Sequence, residues 1–303
     1  MDAIAKPGAR ESGARELISC FIVCQDEERQ IVDCLESVRW CDEIVVVDGG
    51  SRDRTPELCR RYTDRVLYNA WPGYVEQKRF GFARVSHPWV LNVDADERVS
   101  DELRDEITAL LHNPAPDVDG YYVRRLVYYL GRWWHRGPWY PGYRLRLVRR
   151  SHAEWGGTDP HDLAIVRGRT RRLQAPLLHY TYRDISDHIA TVNRLTDAAA
   201  GSDRSRASLM SLMLRPAWRF AWTYTFAGGF REGFVGLFVC MTAAFYVFLR
   251  LAKRVEKWMI PRVDQRIDRL AVVVAENDLA RGAAAARETE RGSPHRTTRK
   301  GCD

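Results

Sequence analysis

The sequence predicts an α/β fold, with a Rossmann-like mixed sheet flanked by helices and a C-terminal segment of apolar or amphipathic helices. Short, nearly continuous apolar runs occupy residues 17–24, 43–47, 65–68 and 88–93. Stretches with helical spacing separate these runs, and strongly apolar, aromatic sequence begins at residue 209. Strands without polar alternation are typical of parallel sheets that helices cover on both faces. We therefore expect repeated strand–helix–strand units in the first half of the chain.

Capping signals support the helices between these strands. Apolar residues recur at i, i+4 and i+7 in the segment after the first strand. Thr55 is predicted to cap the next helix, because Pro56 then occupies the first helical position. Ser100 is predicted to cap a later helix whose first turn is acidic. Each of these helices follows a predicted strand.

The second half of the chain has a different composition. It is rich in aromatic residues and arginine, and glycine and proline interrupt it. We expect strands at about 120–128 and 143–149 around a long loop, strands near 162–167 and 176–182, and a helix from about 184 to 200. These elements would complete the same domain.

Bulk properties bound the protein class without deciding the function. The 303 residues suit one large domain with an appendage, or two domains. A formal net charge of +7 is compatible with nucleic acid, an anionic membrane surface or a phosphorylated substrate. The seven cysteines are irregularly spaced and form no Cys-x-x-Cys pair, which favours reduced, buried thiols over disulfides or a zinc site. The N-terminal residues have no apolar core of a signal peptide.

Acidic residues follow a predicted strand in the stretch "WVLNVDADERVS". Asp94, Asp96 and Glu97 lie within four positions. Like charges this close repel, and removing them from water is costly unless a cation neutralises them. One interpretation is a solvated loop. The sharper one is a divalent-metal site, because residues i and i+2 of an extended segment point to the same side and carboxylates bind hard cations.

A second acidic position lies at the same predicted edge of the sheet. Asp48 ends the second strand and precedes Gly49-Gly50-Ser51. Ligands of open α/β sheets bind outside the carboxyl ends of the strands, so Asp48 would lie near a nucleotide base or ribose. The glycines permit close backbone approach or positive φ. A simple tight turn is the alternative interpretation.

Four elements in order resemble the family 2 glycosyltransferases, which have the GT-A fold. They are an acidic loop after the first strand, Asp48 after the second, the "GSRDRT" turn, and Asp94-x-Asp96. Within that family the sequence is most similar to the lipopolysaccharide-core β-glucosyltransferase type, over about residues 17–200. Two positions depart from the family pattern, Asp26 where Asn is usual and Arg52 where Thr is usual, and both lie in loops.

The resemblance implies roles for individual residues on the donor side. A nucleotide-sugar pocket would be lined by Val23, Gln25, Glu27 and Asp48. The positively charged pair in "VEQKRFGFA", Lys78 or Arg79, would approach the diphosphate, although a solvated helix face is the alternative.

The resemblance also implies a metal site and a base. Asp94 and Asp96 would coordinate Mg²⁺ or Mn²⁺ at the diphosphate, with Asp94 also on the nucleotide-sugar side. An inverting transfer needs a base for the acceptor hydroxyl. In "WGGTDPHDLAIV" we expect Asp162 in this role with His161 beside it, and Asp159 is the rival. Asp162 would otherwise cap a turn.

Two further segments leave alternatives open. The aromatic and arginine-rich loop 131–144 would stack on sugar rings and hold acceptor phosphates, or would be ordinary packing. Residues 233–249 form an uncharged run of 17, with basic and Trp-rich flanks. We expect helices that lie in or dip into the cytoplasmic leaflet, and a dimer interface is the alternative.

The leading hypothesis is a metal-dependent, inverting glycosyltransferase on the cytoplasmic face of the inner membrane. Its donor would be a nucleotide-diphosphate sugar, with UDP-hexose preferred, and its acceptor a lipid-linked glycan such as the lipopolysaccharide core, with no nucleic acid partner. Transfer to polyprenyl or dolichyl phosphate, or a non-catalytic binding protein on the same fold, are the alternatives. The expected regions are a disordered leader (1–16), a catalytic domain (17–205) with nucleotide-sugar (17–115) and acceptor (116–205) halves, membrane-associating helices (206–260), and a helix with a basic tail (261–303).

Overall fold

A computed structural model describes residues 15–159, 161–202 and 208–259. The expected leader therefore lies almost entirely outside the described residues, and the expected C-terminal tail lies wholly outside them. The strands are β1 (Ile18–Cys24), β2 (Glu43–Asp48), β3 (Val66–Tyr68), β4 (Trp89–Asp94), β5 (Glu97–Val99), β6 (Val118–Tyr129), β7 (Arg132–Trp134), β8 (Gly142–Arg149), β9 (Ala153–Thr158), β10 (His161–Val166) and β11 (Arg169–His179).

Seven helices accompany the strands in the described part of the chain. They are α1 (Ile31–Ser37), α2 (Thr55–Cys59), α3 (Tyr74–Phe82), α4 (Asp101–His112), α5 (Ile185–Ser202), α6 (Leu209–Ala221) and α7 (Gly229–Met259). A π-helical turn, Trp222–Phe226, leads from α6 towards α7.

The main sheet is mixed, as the sequence predicts. Its order is β3-β2-β1-β4-β8-β6-β11-β5, and β7 pairs with β6. Strands β3, β2, β1 and β4 are parallel to one another. Strand β8 runs antiparallel to both β4 and β6, and β5 runs antiparallel to β11. The parallel half therefore carries one edge where the carboxyl ends of its strands meet.

Helices cover both faces of the sheet, which explains why the parallel strands lack polar alternation. On one face, Ile22 and Trp89 pack with Leu35 of α1 and Leu103 of α4. On the other, Phe21 packs with residues that include Trp155 of β9, and their ring centroids are 5.2 Å apart. The small sheet of β9 and β10 thus completes the second face beside α3.

The boundaries differ from the predictions in several places. Strands β5, β7 and β9 were not predicted, because three-residue strands and glycine-containing strands give weak local patterns.

One of the two capping predictions is confirmed. Ser100 caps α4 as predicted, accepting from Leu103 N at 3.1 Å. Thr55 does not cap α2, because its hydroxyl accepts from Glu27 N at 2.8 Å. Asp53 accepts from Thr55 N at 2.9 Å in its place.

Candidate active site

Strand register brings the acidic loops of the first half together. Cys24 of β1 is paired with Asp48 of β2, and Val23 is paired with Asp94 of β4. The two carboxylates therefore flank the end of β1, where the loop with Gln25 and Glu27 begins. This arrangement follows from the parallel pairing of three adjacent strands.

The Asp48 carboxylate organises its own turn. It is buried and accepts from Gly50 N and Ser51 N, both at 3.2 Å, and from the Ser51 hydroxyl at 2.5 Å. Gly50 has a φ of +99°, which favours glycine. A second contact links this turn to the β1 loop, since Asp26 accepts from Arg52 N at 2.6 Å. The side chain of Asp26 thus bonds to the backbone of Arg52, and these are the two positions that depart from the family pattern.

The other predicted donor-side residues surround this turn. Val23 is half-buried and Gln25 is exposed. Burial, followed by the charge of Asp96, raises the pKa of Glu27 to about 7. Trp71, which was not predicted as a site residue, also lies at this turn. A Cβ atom on Gly49 would be 2.7 Å from the Trp71 ring.

Lys78 is part of a buried charge network with Asp94. Its Nζ lies 2.7 Å from Asp94 Oδ1, and Arg146 Nη2 contacts the other carboxylate oxygen. Both cations also donate to Asn92 Oδ1, at 3.2 and 2.6 Å. Burial opposes ionisation of Asp94, but Arg146 and Lys78 outweigh it and hold its pKa well below its usual range. Protein cations thus already neutralise the Asp94 carboxylate.

Glu97 fixes the turn that follows Asp94. The Glu97 side chain is fully buried, contacts Arg146 Nη2 at 2.6 Å, and accepts from Asp94 N at 3.0 Å. Neither Glu97 nor Arg146 was predicted as a site residue. The alternation of arginine with apolar residues in β8 was the available signal, because a charged side chain within a largely buried strand needs a partner.

Asp96 has different partners from Asp94. The segment between them is a turn and not the extended segment that the sequence predicts. Asp96 Oδ2 lies 3.0 Å from Nε2 of His179, a buried residue at the end of β11. Glu97 is paired with His179 across β5 and β11, which brings His179 beside Asp96. No local pattern marked His179 as a site residue.

Asp96 and His179 are the side chains most suited to a divalent cation. No group of three His, Cys, Asp or Glu side chains forms a ready-made metal site within the described residues. The carboxylate of Asp96 is 28% exposed and has no Lys or Arg partner among the described ion pairs, whereas Asp94 has two. His179 Nδ1 is buried without a hydrogen-bond partner. An imidazole and a carboxylate suit Mn²⁺, with phosphate oxygens and water as the other ligands.

The two candidate bases have different environments. Asp162 Oδ2 lies 3.0 Å from Lys78 Nζ and accepts from Trp155 Nε1 at 3.2 Å, so Asp162 joins the charge network. Asp159 Oδ1 accepts from Val75 N at 2.9 Å, so a residue distant in sequence satisfies a backbone N–H in the first turn of α3. The side chain of His161 lies outside the described residues.

Lys78 and Arg79 point to different surroundings. Arg79 is half-exposed, pairs with Glu76 at 2.5 Å and donates to Trp155 O at 2.7 Å. Lys78 therefore contacts the site carboxylates, whereas Arg79 contacts Glu76 of its own helix and the backbone of β9.

Loop 131–144 contains both packing and polar positions. Trp134 and Trp139 pack with Tyr129 and with α7, which is ordinary core packing. Arg144 is exposed, and the register of β8 against β6 shifts between Leu145 and Leu147. Partial desolvation of the guanidinium group lowers the pKa of Arg144, as do the charges of Arg125 and Arg146, whereas Glu97 and Asp162 act in the opposite direction. The charges of Arg125, Arg146 and Asp162 thus all act on Arg144.

Comparisons with known proteins point to one family. The sequence profile of "Glycosyl transferase family 2" matches residues 19–167. The "Lipopolysaccharide core biosynthesis glycosyltransferase LpsC" of Rhizobium meliloti is 31% identical over 263 residues, covering 82% of this chain and 97% of that protein. The "Uncharacterized glycosyltransferase RT0209" of Rickettsia typhi is 30% identical over 250 residues, covering 78% and 86%.

A solved structure shares the fold across most of the chain. The mannosyltransferase PcManGT from Pyrobaculum calidifontis, in complex with GDP-Man and Mn²⁺, matches with a TM-score of 0.50. The match covers 82% of this chain and 90% of that one, at 14% identity.

Proposed function

This chain belongs to glycosyl transferase family 2, and from that membership we propose an inverting transfer of a sugar from a nucleotide-diphosphate donor to a lipid-linked glycan. The observation that carries the proposal is that Lys78 joins Asp94, at the end of β4, to Asp162 of β10, at the edge of the sheet where β2 ends with Asp48. The similarity to a lipopolysaccharide-core enzyme supports an acceptor of that kind.

The donor would bind at the ends of β1 and β2. Gln25, Glu27 and the Asp48 turn offer hydrogen-bonding groups to a base and ribose, and Trp71 offers an aromatic face. A UDP-hexose is our preferred donor. Lys78 and Arg146 are cations at this edge that would attract the diphosphate, although Asp94, Asp162 and Glu97 now pair with them.

Asp96 and His179 would hold Mg²⁺ or Mn²⁺. The cation would stabilise the negative charge that develops on the leaving nucleoside diphosphate. In this proposal Asp94 has a structural as well as an electrostatic role, because it anchors Lys78 and Arg146. The pair first expected to bind metal, Asp94 with Asp96, is thus replaced by Asp96 with His179.

Asp162 would take the proton from the acceptor hydroxyl. Its carboxylate is held by Trp155 Nε1 and Lys78, so one oxygen is fixed and the other can face an acceptor. The nearby Arg144 and Arg125 favour an acceptor with a phosphate or carboxylate substituent, since guanidinium groups bind such oxyanions in a bidentate manner.

Transfer to polyprenyl phosphate is a second candidate, and the same arginine residues support it. A phosphate oxygen is already ionised, so this reaction needs no base and would not depend on Asp162. The two candidates therefore differ in their response to Asp162→Asn.

The test is a transfer assay with the full-length protein. The protein is incubated with radiolabelled UDP-glucose, Mn²⁺ and either lipopolysaccharide with a truncated core or polyprenyl phosphate, and label in each lipid-linked product is counted. The proposal expects label that depends on Asp162, with the anomeric configuration of the donor inverted in the product. Label that enters polyprenyl phosphate in both wild type and Asp162→Asn would support the second candidate.

A further inference from the structure

The exposed side of α6 is a continuous apolar stripe. Met210, Met213, Leu214 and Trp218 follow i, i+3, i+4 and i+8 spacing, and all four are exposed. The π-helical turn extends the stripe, because Trp222 stacks on Phe226 with ring centroids 5.1 Å apart. Large apolar side chains in a contiguous exposed patch mark a binding surface.

Helix α7 has two different apolar sides. Val235 and Val239 pack against the catalytic domain at Tyr129 and Trp134. On the opposite side, Phe234, Met241, Phe245 and Phe248 are exposed, and Phe234 retains 80% of its accessible surface. Their spacings of seven, four and three residues place them on one stripe. Helix α7 therefore binds the catalytic domain with one side and leaves an apolar side uncovered.

Length and composition alone would allow α7 to cross a membrane. It has 31 residues, and an 18-residue stretch within it has a mean hydropathy of 2.0. However, it contacts α5 at two distant points. The ring centroids of Phe238 and His188 are 5.9 Å apart, and Lys253 Nζ lies 2.7 Å from Asp197 Oδ1. Fifteen residues of helix separate these contacts, a length of about 22 Å.

This double attachment argues against a crossing helix. If α7 spanned the hydrocarbon core, α5 would lie beside it at the same depth. Helix α5 contains Asp187, Arg194 and Asp197, and Asp197 is exposed. Charged groups at that depth are costly unless buried within protein. The catalytic domain would also be drawn into the lipid.

The charge around these helices suits an anionic surface. Residues 208–259 contain seven Lys or Arg and two Glu, a net charge of +5. One of the acidic residues, Glu232, is already paired with Arg132 at 3.1 Å. Trp218, Trp222 and Trp258 are exposed, and Trp with basic residues is typical of the lipid headgroup level.

We propose that the exposed stripes of α6 and α7 insert together into one leaflet of an anionic phospholipid bilayer, with α7 lying along the membrane surface and not crossing it. The inference deepens the proposed action on a lipid-linked acceptor, because it holds the Asp162 side of the enzyme at a fixed height above the leaflet. Insertion of the two stripes into the leaflet does not itself require sugar transfer.

The first test measures binding of purified full-length protein to phosphatidylcholine vesicles with and without phosphatidylglycerol. The double variant Phe226→Glu, Phe234→Glu should lose at least about tenfold in vesicle affinity, since both side chains are exposed and would carry charge into lipid. The control is Leu17→Glu, an exposed apolar residue beside β1, which should bind like wild type. Equal binding of all three proteins would overturn the proposal. So would a stable wild-type dimer that needs no lipid and separates in the double variant.

The second test decides between an in-plane and a crossing α7. A membrane-impermeant maleimide is applied to sealed inside-out vesicles and to spheroplasts. Cys302 in a Cys41→Ser background reports the chain after α7, and Glu57→Cys in a Cys41→Ser, Cys302→Ser background reports the catalytic domain. We expect both sites to react from the same side. Reaction from opposite sides would overturn the in-plane arrangement, and neither result depends on whether the protein transfers sugar.

Discussion

Lys78 and Asp162 form an ion pair with Nζ and Oδ2 3.0 Å apart, and the lysine side chain is only 6% exposed. The same ammonium group lies 2.7 Å from Asp94 Oδ1. One buried cation therefore connects the end of β4, on the donor side, with the start of β10, on the proposed acceptor side. The proposed donor and acceptor sides thus share one cation.

Lys78→Met should damage both stability and transfer, because the substitution leaves Asp94 and Asp162 without a shared cation. Breaking a buried ion pair costs about 3–5 kcal/mol, and we expect urea denaturation to show a loss in that range. The matched control is Arg79→Met on the next residue of α3. Its pair with Glu76 is half-exposed and it otherwise makes one hydrogen bond, to Trp155 O, so the loss should be below about 2 kcal/mol. Equal losses in the two variants would contradict the network.

Asp162→Asn should lower kcat by about 10²–10⁴-fold, as expected for removal of a general base. The amide oxygen can still accept from Trp155 Nε1, and Lys78 keeps Asp94 as its counter-charge, so the fold and the affinity for nucleotide sugar should change little. Single-turnover kinetics and calorimetry measure the two quantities. A decrease smaller than about tenfold would move the base elsewhere.

Asp159→Ala provides the comparison for that result. Asp159 accepts from Val75 N at the start of α3, so its removal should cost about 1 kcal/mol of folding free energy, as for a lost helix cap. The transfer rate per folded molecule should remain near that of wild type. If Asp159→Ala abolishes transfer and Asp162→Asn does not, the two assignments must be exchanged.

The metal assignment predicts different behaviour for the two aspartates of the motif. Asp96→Ala and His179→Ala should abolish Mn²⁺-dependent donor binding while the protein stays folded. Asp94→Ala should instead destabilise the fold by about 3–5 kcal/mol, because Arg146 and Lys78 would lose their buried counter-charge. Thermal unfolding and calorimetry with and without Mn²⁺ separate these effects. A stable Asp94→Ala protein that has lost only metal would restore the originally expected pair.

Glu27 should make stability depend on pH. Its pKa is raised from an ordinary value of 4.5 to about 7, first by burial and then by the charge of Asp96. Between these values the folded protein holds a proton that the unfolded chain has lost, so stability falls as pH rises. Glu27→Gln removes this loss and should be more stable than wild type by about 1–3 kcal/mol above pH 7, with little difference below pH 4.5.

The measurement is urea denaturation in EDTA at several pH values. Glu57→Gln on the exposed surface of α2 is the control, and its difference from wild type should stay constant across the range. If the stability advantage of Glu27→Gln over wild type became smaller as pH rises, the raised pKa of Glu27 would be contradicted.

The parallel half of the fold was predictable because its strands are covered on both faces. Residues such as Phe21 and Ile22 point in opposite directions and are both fully buried, so the strand appears as a continuous apolar run. Asp48 and Asp94 were predictable for a related reason, since polar residues that directly follow such strands lie at the ligand-binding edge.

The remaining site residues depend on contacts between distant segments. His179 reaches Asp96 because β11 pairs with the short strand β5, and Arg146 reaches Asp94 because β8 pairs with β4. Nothing in the local sequence specifies either pairing. Thr55 was assigned wrongly for the same reason, because a backbone N–H from the β1 loop uses its hydroxyl. Local capping rules do not include such tertiary partners.

Calorimetric titration of the purified full-length protein with UDP-, GDP- and TDP-sugars, each with and without Mn²⁺, tests the central claim most directly. The account predicts that one nucleotide sugar, preferably a UDP-hexose, binds in the presence of Mn²⁺ and much more weakly in EDTA. It also predicts that Asp96→Ala abolishes the difference while remaining folded. If folded wild-type protein binds none of these sugars with Mn²⁺, or binds one equally well in EDTA, the assignment of a metal-dependent nucleotide-sugar site is contradicted.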